Sequence, residues 1–220
     1  MRTSSEENYL KALYQIGYEQ GTTGEAGTNE LAAELGLKPA TVNEMLKRLK
    51  EKAWVDYEKY GKIRLTEAGR AIALEIIRKH RLWETFLLEK LEFTWDEVHE
   101  VAEQLEHIQS RKLVDQIDQL LGFPLFDPHG DPIPNASGEV AAITKLTLAE
   151  LSTGASGRMV GVKDDTASFL QYLDTIGLAL NRRIRVLARN EYDGLLQIDV
   201  EGQSSTVSPK FAEHIWVVEE

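Results

Sequence analysis

Apolar residues recur at helical spacing through the first part of the chain and alternate in short runs through the last third. The pattern therefore predicts helices first and strands afterwards. Over Glu6–Tyr18, residues Tyr9, Leu10, Leu13, Tyr14 and Ile16 form one helical stripe, with Ser4 and Ser5 available as caps. GTTGEAG breaks it. A second helix starts at a Thr28 cap in TNELAAELGL and stops in a turn at Gly36. A third opens on Lys38–Pro39, with proline in the first turn where its missing N–H does no harm. Its buried stripe is Val42, Met45, Leu46 and Leu49; Thr41, Asn43, Glu44, Lys47, Arg48 and Lys50 are left mostly outward. VDYEKYGKIRLTEAGR then reads as two short strands around Lys59–Lys62, followed by a helix led by Thr66. Two helices about a glycine turn and then a hairpin make a winged helix-turn-helix, whose second helix enters a major groove by its N-terminal end. The residues placed to meet DNA are Thr28, Lys38, Ala40, Thr41, Asn43, Glu44, Lys47 and Arg48. The bland alternative is plain scaffold, but turn, proline and basic face coincide here.

Beyond the middle of the chain, FPLFDPHGDPIPNASG is too rich in proline and glycine for a regular element. His129, inside Asp-Pro-His-Gly, reads as a turn residue rather than a ligand. After this stretch KLTLAEL, GRMVGV, RRIRVLAR, LLQIDVEG and HIWVVEE are strand-like, with a short helix over SFLQYLDTIGL, and they suggest a small barrel. Arg182, Arg183 and Arg185 lie in one of these strands and are read as facing water. The expected division is 1–70 winged helix, 71–135 helical domain, 136–144 linker and 145–220 barrel.

Composition sharpens this picture in two places. The chain has 220 residues and no cysteine, which excludes disulfides, thiolate chemistry and cysteine-rich zinc sites and fits a cytoplasmic location. No run is long and apolar enough to span a bilayer, and MRTSSEENYLK lacks the apolar stretch of a signal peptide. The net charge of −11 would argue against nucleic acid if it were spread evenly. Counting Lys and Arg against Asp and Glu, residues 1–70 carry 11 and 11, 71–144 carry 6 and 14, and 145–220 carry 8 and 11. The acidic excess belongs to the middle segment.

That segment carries the candidate chemistry. In HEVAEQLEH, residues His99, Glu103, Glu106 and His107 would project from a helix at roughly 0°, 40°, 340° and 80°, one narrow stripe. Upstream, RKHRLWETF sets His80 and Glu84 at a second i,i+4 spacing. Imidazole with carboxylate suits a divalent transition ion such as manganese, iron, cobalt or zinc. An acidic exposed face with scattered histidines is common, but three of the five histidines sit in these two stripes beside glutamates.

EENYLKALYQI, the winged helix, RKHRLWETFL, VHEVAEQLEH and FPLFDPHGDPIP together resemble the diphtheria-toxin-repressor family of iron- and manganese-dependent repressors, closely over residues 1 to about 135. The fold class implied is mainly α with small β parts: a winged helix-turn-helix, a helical dimerisation and metal-binding domain, and a C-terminal SH3-like (FeoA-like) β-barrel. The resemblance implies a homodimeric, cytoplasmic repressor of metal homeostasis that binds double-stranded operator DNA. Mn(II) or Fe(II) acts as co-repressor, Zn(II) or Co(II) as an in vitro substitute, with no organic cofactor and no membrane. By position, His80, Glu84 and His99 match the family's ancillary metal site, and Asn8, Glu103, Glu106 and His107 its primary site. Asp165 and Ser168 are the barrel positions that align with oxygen donors to the ancillary site. Iron-type members have cysteine where this chain has Glu103, which favours manganese. Asn8 stands where the iron-type has methionine and the manganese-type aspartate. Lys11 stands where some manganese-type members carry a carboxylate supporting a second adjacent ion, which argues against such a pair here.

Two other classes are open: a metalloenzyme using the same His/Glu sets, and a winged-helix regulator that senses an organic ligand. The first leaves the winged helix unexplained, and the chain has no HExxH, nucleophile elbow or phosphate loop.

Overall fold

Capping chemistry sets where the first helix begins. In the computed structural model, which describes residues 2–20, 23–57 and 61–220, the cap is Thr3, one residue before the serines expected. Its hydroxyl accepts from the Glu6 backbone N–H while the Glu6 carboxylate accepts from the Thr3 N–H, a reciprocal pair that satisfies two otherwise orphaned donors. Helix α1 (Ser4–Tyr14) runs on into a π-helical turn (Gln15–Glu19), where Tyr18 stacks on Tyr14. Helix α2 (Thr28–Glu34) is capped at Gly27 rather than Thr28, and Gly36 takes the positive φ of 62° that closes its turn. Helix α3 (Pro39–Glu51) starts on its proline. Strands β1 (Glu25–Ala26), β2 (Val55–Tyr57) and β3 (Ile63–Leu65) form one antiparallel sheet in the order β1-β3-β2. The hairpin tip at residues 58–60 and residues 21–22 of the glycine break lie outside the described residues.

Leu10, Leu31, Leu46 and Leu49 are wholly buried in one core with Val42, Val55 and Ile63. Each such side chain contributes roughly 1.5–3 kcal/mol by leaving water. Helix α4 (Glu67–Lys90) follows after the Thr66 hydroxyl accepts from the Gly69 N–H, with α5 (Trp95–Leu105) and α6 (Arg111–Leu120) next.

The C-terminal sheet has six antiparallel strands in the order β4-β9-β5-β6-β7-β8. They are β4 (Leu146–Thr147), β5 (Ser156–Val162), β6 (Arg183–Arg189), β7 (Leu196–Val200), β8 (Gln203–Val207) and β9 (Ile215–Glu219). Helix α7 (Ala167–Thr175) lies between β5 and β6, as expected, and a short α8 (Pro209–Ala212) precedes β9. Leu148, Met159, Ile184, Val186, Ile198, Ile215 and Val217 fill this barrel's own core. Strand β8 and helix α8 are additions to the expected elements, and KLTLAEL forms a strand only over Leu146–Thr147.

The chain divides into two compact units: Met1–His80 with Glu103–Arg111 and Pro134–Glu139, and Arg81–Ala102 with Lys112–Ile133 and Val140–Glu220.

Candidate metal centres and nucleic-acid face

In the first unit, helix α1 turns Glu7 inward, and its side chain is only 1% exposed. His107 Nδ1 lies 2.7 Å from Glu7 Oε2, and Gln109 Nε2 donates to Glu7 Oε1 at 2.9 Å. The other ring nitrogen of His107 is 3.9 Å from Glu106 Oε1. Glu106 is buried, and its second oxygen lies 2.6 Å from His80 Nδ1 and accepts from Lys11 Nζ at 2.7 Å. Burial pushes the Glu106 carboxyl up, but the His80 hydrogen bond and the Lys11 charge outweigh it and hold the group below the usual carboxylate range. Close by, Lys79 has no hydrogen-bond partner at Nζ among the described residues and lies 3.8 Å from Glu75 Oε1. Burial pulls it below the usual lysine range despite the charges of Glu7 and Glu75. Arg2 makes two hydrogen bonds to Glu75 and an ion pair with Glu7. This cluster thus sets Glu7, Glu75 and Glu106 against Arg2, Lys11 and Lys79, with two imidazoles among them.

Two expectations change here. Asn8 is exposed, and the α1 side chain that meets His107 is Glu7. Asn8 follows Glu7 by about 100° on the helix and faces solvent here, while Glu7 is buried. Helix α5 ends at Leu105, so Glu106 and His107 lie in the turn beyond it and the stripe from His99 is not continuous. Glu103 is exposed on the last turn of α5.

A second cluster belongs wholly to the second unit. Glu84, Asp127 and His129 each offer a ligand atom within 4.8 Å of the others. Glu84 is buried; its Oε2 lies 3.8 Å from His129 Nδ1 and its Oε1 3.1 Å from His99 Nδ1. Asp127 builds the loop around itself, since its Oδ1 accepts from the backbone N–H groups of His129 and Asp131, both at 2.9 Å. Arg81 Nε lies 3.4 Å from Asp127 Oδ2, and Arg81 Nη1 donates to the Pro132 carbonyl at 2.7 Å. Burial, with the Glu84 charge adding to it and Arg81 opposing, pushes Asp127 up to about 7. The Glu84 carboxylate beside it, against the opposing effect of burial, raises His129 to about 9. Two buried carboxyl groups whose charges repel, with an imidazole between, would gain from a divalent cation.

The reading of His129 as a bare turn residue is thereby corrected: it is in a turn, and the turn aims it at Glu84. His80 stands one turn before Glu84 on α4 and meets Glu106 within the first unit, while Glu84 and His99, the other two residues of the expected ancillary trio, lie 3.1 Å apart in the second. Asp165 and Ser168, at the start of α7, are exposed. The missed signal was an aspartate and a histidine two apart across a proline, which a tight turn brings to one side.

The nucleic-acid face is as expected in its exposures. Lys38, Ala40, Thr41, Asn43, Glu44, Lys47 and Arg48 are exposed and Thr28 is half-buried. A concave surface runs between α3 and the hairpin, lined by Thr28, Asn29, Asn43, Lys47, Lys50 and Lys62.

Three family models match successive parts of the chain. Residues 1–63 match the family described as iron dependent repressor, N-terminal DNA binding domain. Residues 66–135 match iron dependent repressor, metal binding and dimerisation domain, and 146–219 match the FeoA domain. The iron-dependent repressor IdeR of Mycobacterium leprae is 28% identical over 97% of this chain and 96% of its own. A solved manganese-dependent transcriptional repressor in complex with manganese is 37% identical, covering 98% of this chain and all of that one, with a TM-score of 0.65. A structure of ScaR with bound Cd2+ is 33% identical over 98% of this chain and 99% of that one, with a TM-score of 0.58.

Proposed function

The chain belongs to the iron-dependent repressor family, and from that membership we infer a metal-dependent transcriptional repressor whose two His–carboxylate clusters hold divalent ions. The observation that carries this reading is a winged helix with an exposed basic face in the same chain as the Glu84–Asp127–His129 trio. We assign the regulatory centre to Glu106 and His107, completed by Glu103 and by Glu7 or Asn8 from α1. The second centre is Glu84, Asp127 and His129, with His99 against Glu84.

Both donor sets fit a hard or borderline divalent ion: imidazole nitrogen and carboxylate oxygen, with no thiolate. That chemistry favours Mn(II) over Fe(II) as the physiological co-repressor, and the manganese complex of a relative supports the choice. An ion at the regulatory centre supplies positive charge shared by donors from α1 and from the turn after α5. Glu7 already ties α1 to that turn through His107 and Gln109, while Lys11 and His80 hold Glu106 ionised and oriented. Affinity that exists only in the DNA-competent arrangement shifts the population towards it, and DNA tightens the ion in return.

We assign operator contact to α3. Lys47, Arg48, Lys50 and Lys62 would neutralise phosphates, and Thr41 and Asn43 would reach base edges. A homodimer formed through the helical domain would present two such faces to a near-palindromic operator, so that half-site spacing follows protein symmetry. No helix among the described residues is long and apolar enough to cross a membrane. We assign the protein to the cytoplasm, where its operator DNA would be.

The test is binding to genomic fragments selected on the protein, titrated anaerobically with Mn(II), Fe(II) and Zn(II). Binding that rises with metal and is lost on chelation is expected, with the lowest midpoint for the physiological ion. Full DNA affinity in the presence of chelator would overturn the reading.

A further inference from the structure

Backbone of the barrel comes close to the loop that carries Asp127 and His129. Pairing of β5 with β9 shifts register between Met159 and Gly161, and beyond that bulge Gly161 stands opposite Trp216. A Cβ on Gly161 would lie 2.2 Å from the Gly130 nitrogen and 2.7 Å from the His129 carbonyl carbon, so only glycine fits. Gly130 in turn has a φ of 81°, and a Cβ there would lie 2.7 Å from Trp216 Cδ1. The adjoining Val162 N–H donates to the Pro128 carbonyl at 3.2 Å, extending the contact along the loop.

Two lysines complete the seat. Lys145 Nζ donates to the Gly130 carbonyl at 2.5 Å and lies 4.4 Å from the Trp216 ring centre, and Lys163 Nζ lies 4.1 Å from it. Cation–π attraction of this kind contributes about 0.5–2 kcal/mol and fixes the indole plane. On the other side Arg81 grips the loop through Asp127 and the Pro132 carbonyl.

We propose that Gly161 and Trp216, steadied by Lys145 and Lys163, are positioning residues for the Asp127–His129 loop. The barrel then contributes to the affinity of the Glu84–Asp127–His129 centre by shape. This rests on the reading of that trio as a metal centre. A ligand held by a rigid seat loses less freedom when an ion arrives, and loosening such support lowers metal affinity by about 10–100-fold. By reciprocity, an ion in the trio should stabilise the barrel's hold on the loop.

Full-length variants are titrated with Mn(II), with the unbound ion followed by its electron paramagnetic resonance signal. His129→Ala identifies the class of ion held by the trio. Gly161→Ala and Trp216→Leu should weaken that class about 10-fold or more. Trp216→Phe, which keeps an aromatic face, should restore it to within about 3-fold of the parent. Far-UV circular dichroism checks folding, and should Gly161→Ala not fold, Trp216→Leu and Lys163→Met decide. An isotherm unchanged by His129→Ala refutes the metal centre itself. An isotherm changed by His129→Ala but not by Trp216→Leu or Gly161→Ala leaves the centre standing and overturns the positioning role.

Discussion

At Glu106 a positive charge is already in place: Lys11 donates to the carboxylate oxygen that His80 also approaches, and Arg2 and Lys79 accompany Glu7 and Glu75. At Glu84 and Asp127 two carboxyl groups are buried against Arg81 and His129, and burial with the Glu84 charge still pushes Asp127 up to about 7. The first arrangement is satisfied without a metal and must rearrange to take one. The second holds Asp127 in surroundings that disfavour its charge, which a bound cation would relieve. A switch needs the first property and a structural ion the second. The two clusters should therefore bind the same metal with different affinities and different consequences.

The largest expected effect comes from His107→Ala. Metal normally raises operator affinity by a coupling factor of about 5–150-fold in systems of this kind, and this variant should lose all of it. His129→Ala should retain most of that gain at saturating Mn(II). Equal loss in both variants, measured by fluorescence anisotropy on labelled operator, would erase the distinction between switch and structural ion.

Next in size is the tight class of ion. Asp127→Asn removes a carboxylate from the trio without changing its shape and should weaken that class by about 10-fold or more. The weaker class, held by Glu106 and His107, should not move. Calorimetric titration with Mn(II) resolves the two.

A smaller shift distinguishes the neighbours on α1. Glu7→Gln should raise the Mn(II) midpoint for operator binding several-fold, by about 1 kcal/mol, because it removes charge beside His107. Asn8→Asp should lower the midpoint if the exposed side chain swings in to join the donors. A response to Glu7→Gln alone assigns the α1 donor to Glu7, and a response to Asn8→Asp alone assigns it to residue 8.

Smallest of all, Asp165→Ala and Ser168→Ala should leave both metal classes within about 2-fold, as expected of exposed positions outside the trio. Arg48→Ala is the matching control for DNA. It should lower the salt slope of operator binding by about 1 and leave both metal isotherms alone.

The winged helix was legible in the sequence because its punctuation is local. Gly36 closes a turn, Pro39 opens α3, and Thr66 caps α4, each for reasons contained within a few residues. Strand β8 was hidden because QSSTV is polar, with only Val207 buried, and β7 supplies its pairing. Glu7 was hidden because a helical stripe of charged residues does not announce which of two neighbours faces inward. Asp127 and His129 were hidden because their meeting with Glu84 depends on a loop folded against distant elements, Arg81 on one side and Gly161 with Trp216 on the other. Local causes could be read, and long-range ones could not.

The candidate donors in both clusters are imidazoles and carboxylates, and the chain has no cysteine. Peroxide converts exposed, low-pKa thiolates to sulfenic and higher acids, and a sensor built on such a ligand loses its metal when oxidised. Here no ligand atom can climb that ladder, and Met159, which underlies the barrel, is wholly buried. A sensor built on these donors would keep its metal where a thiolate-ligated one would lose it to peroxide.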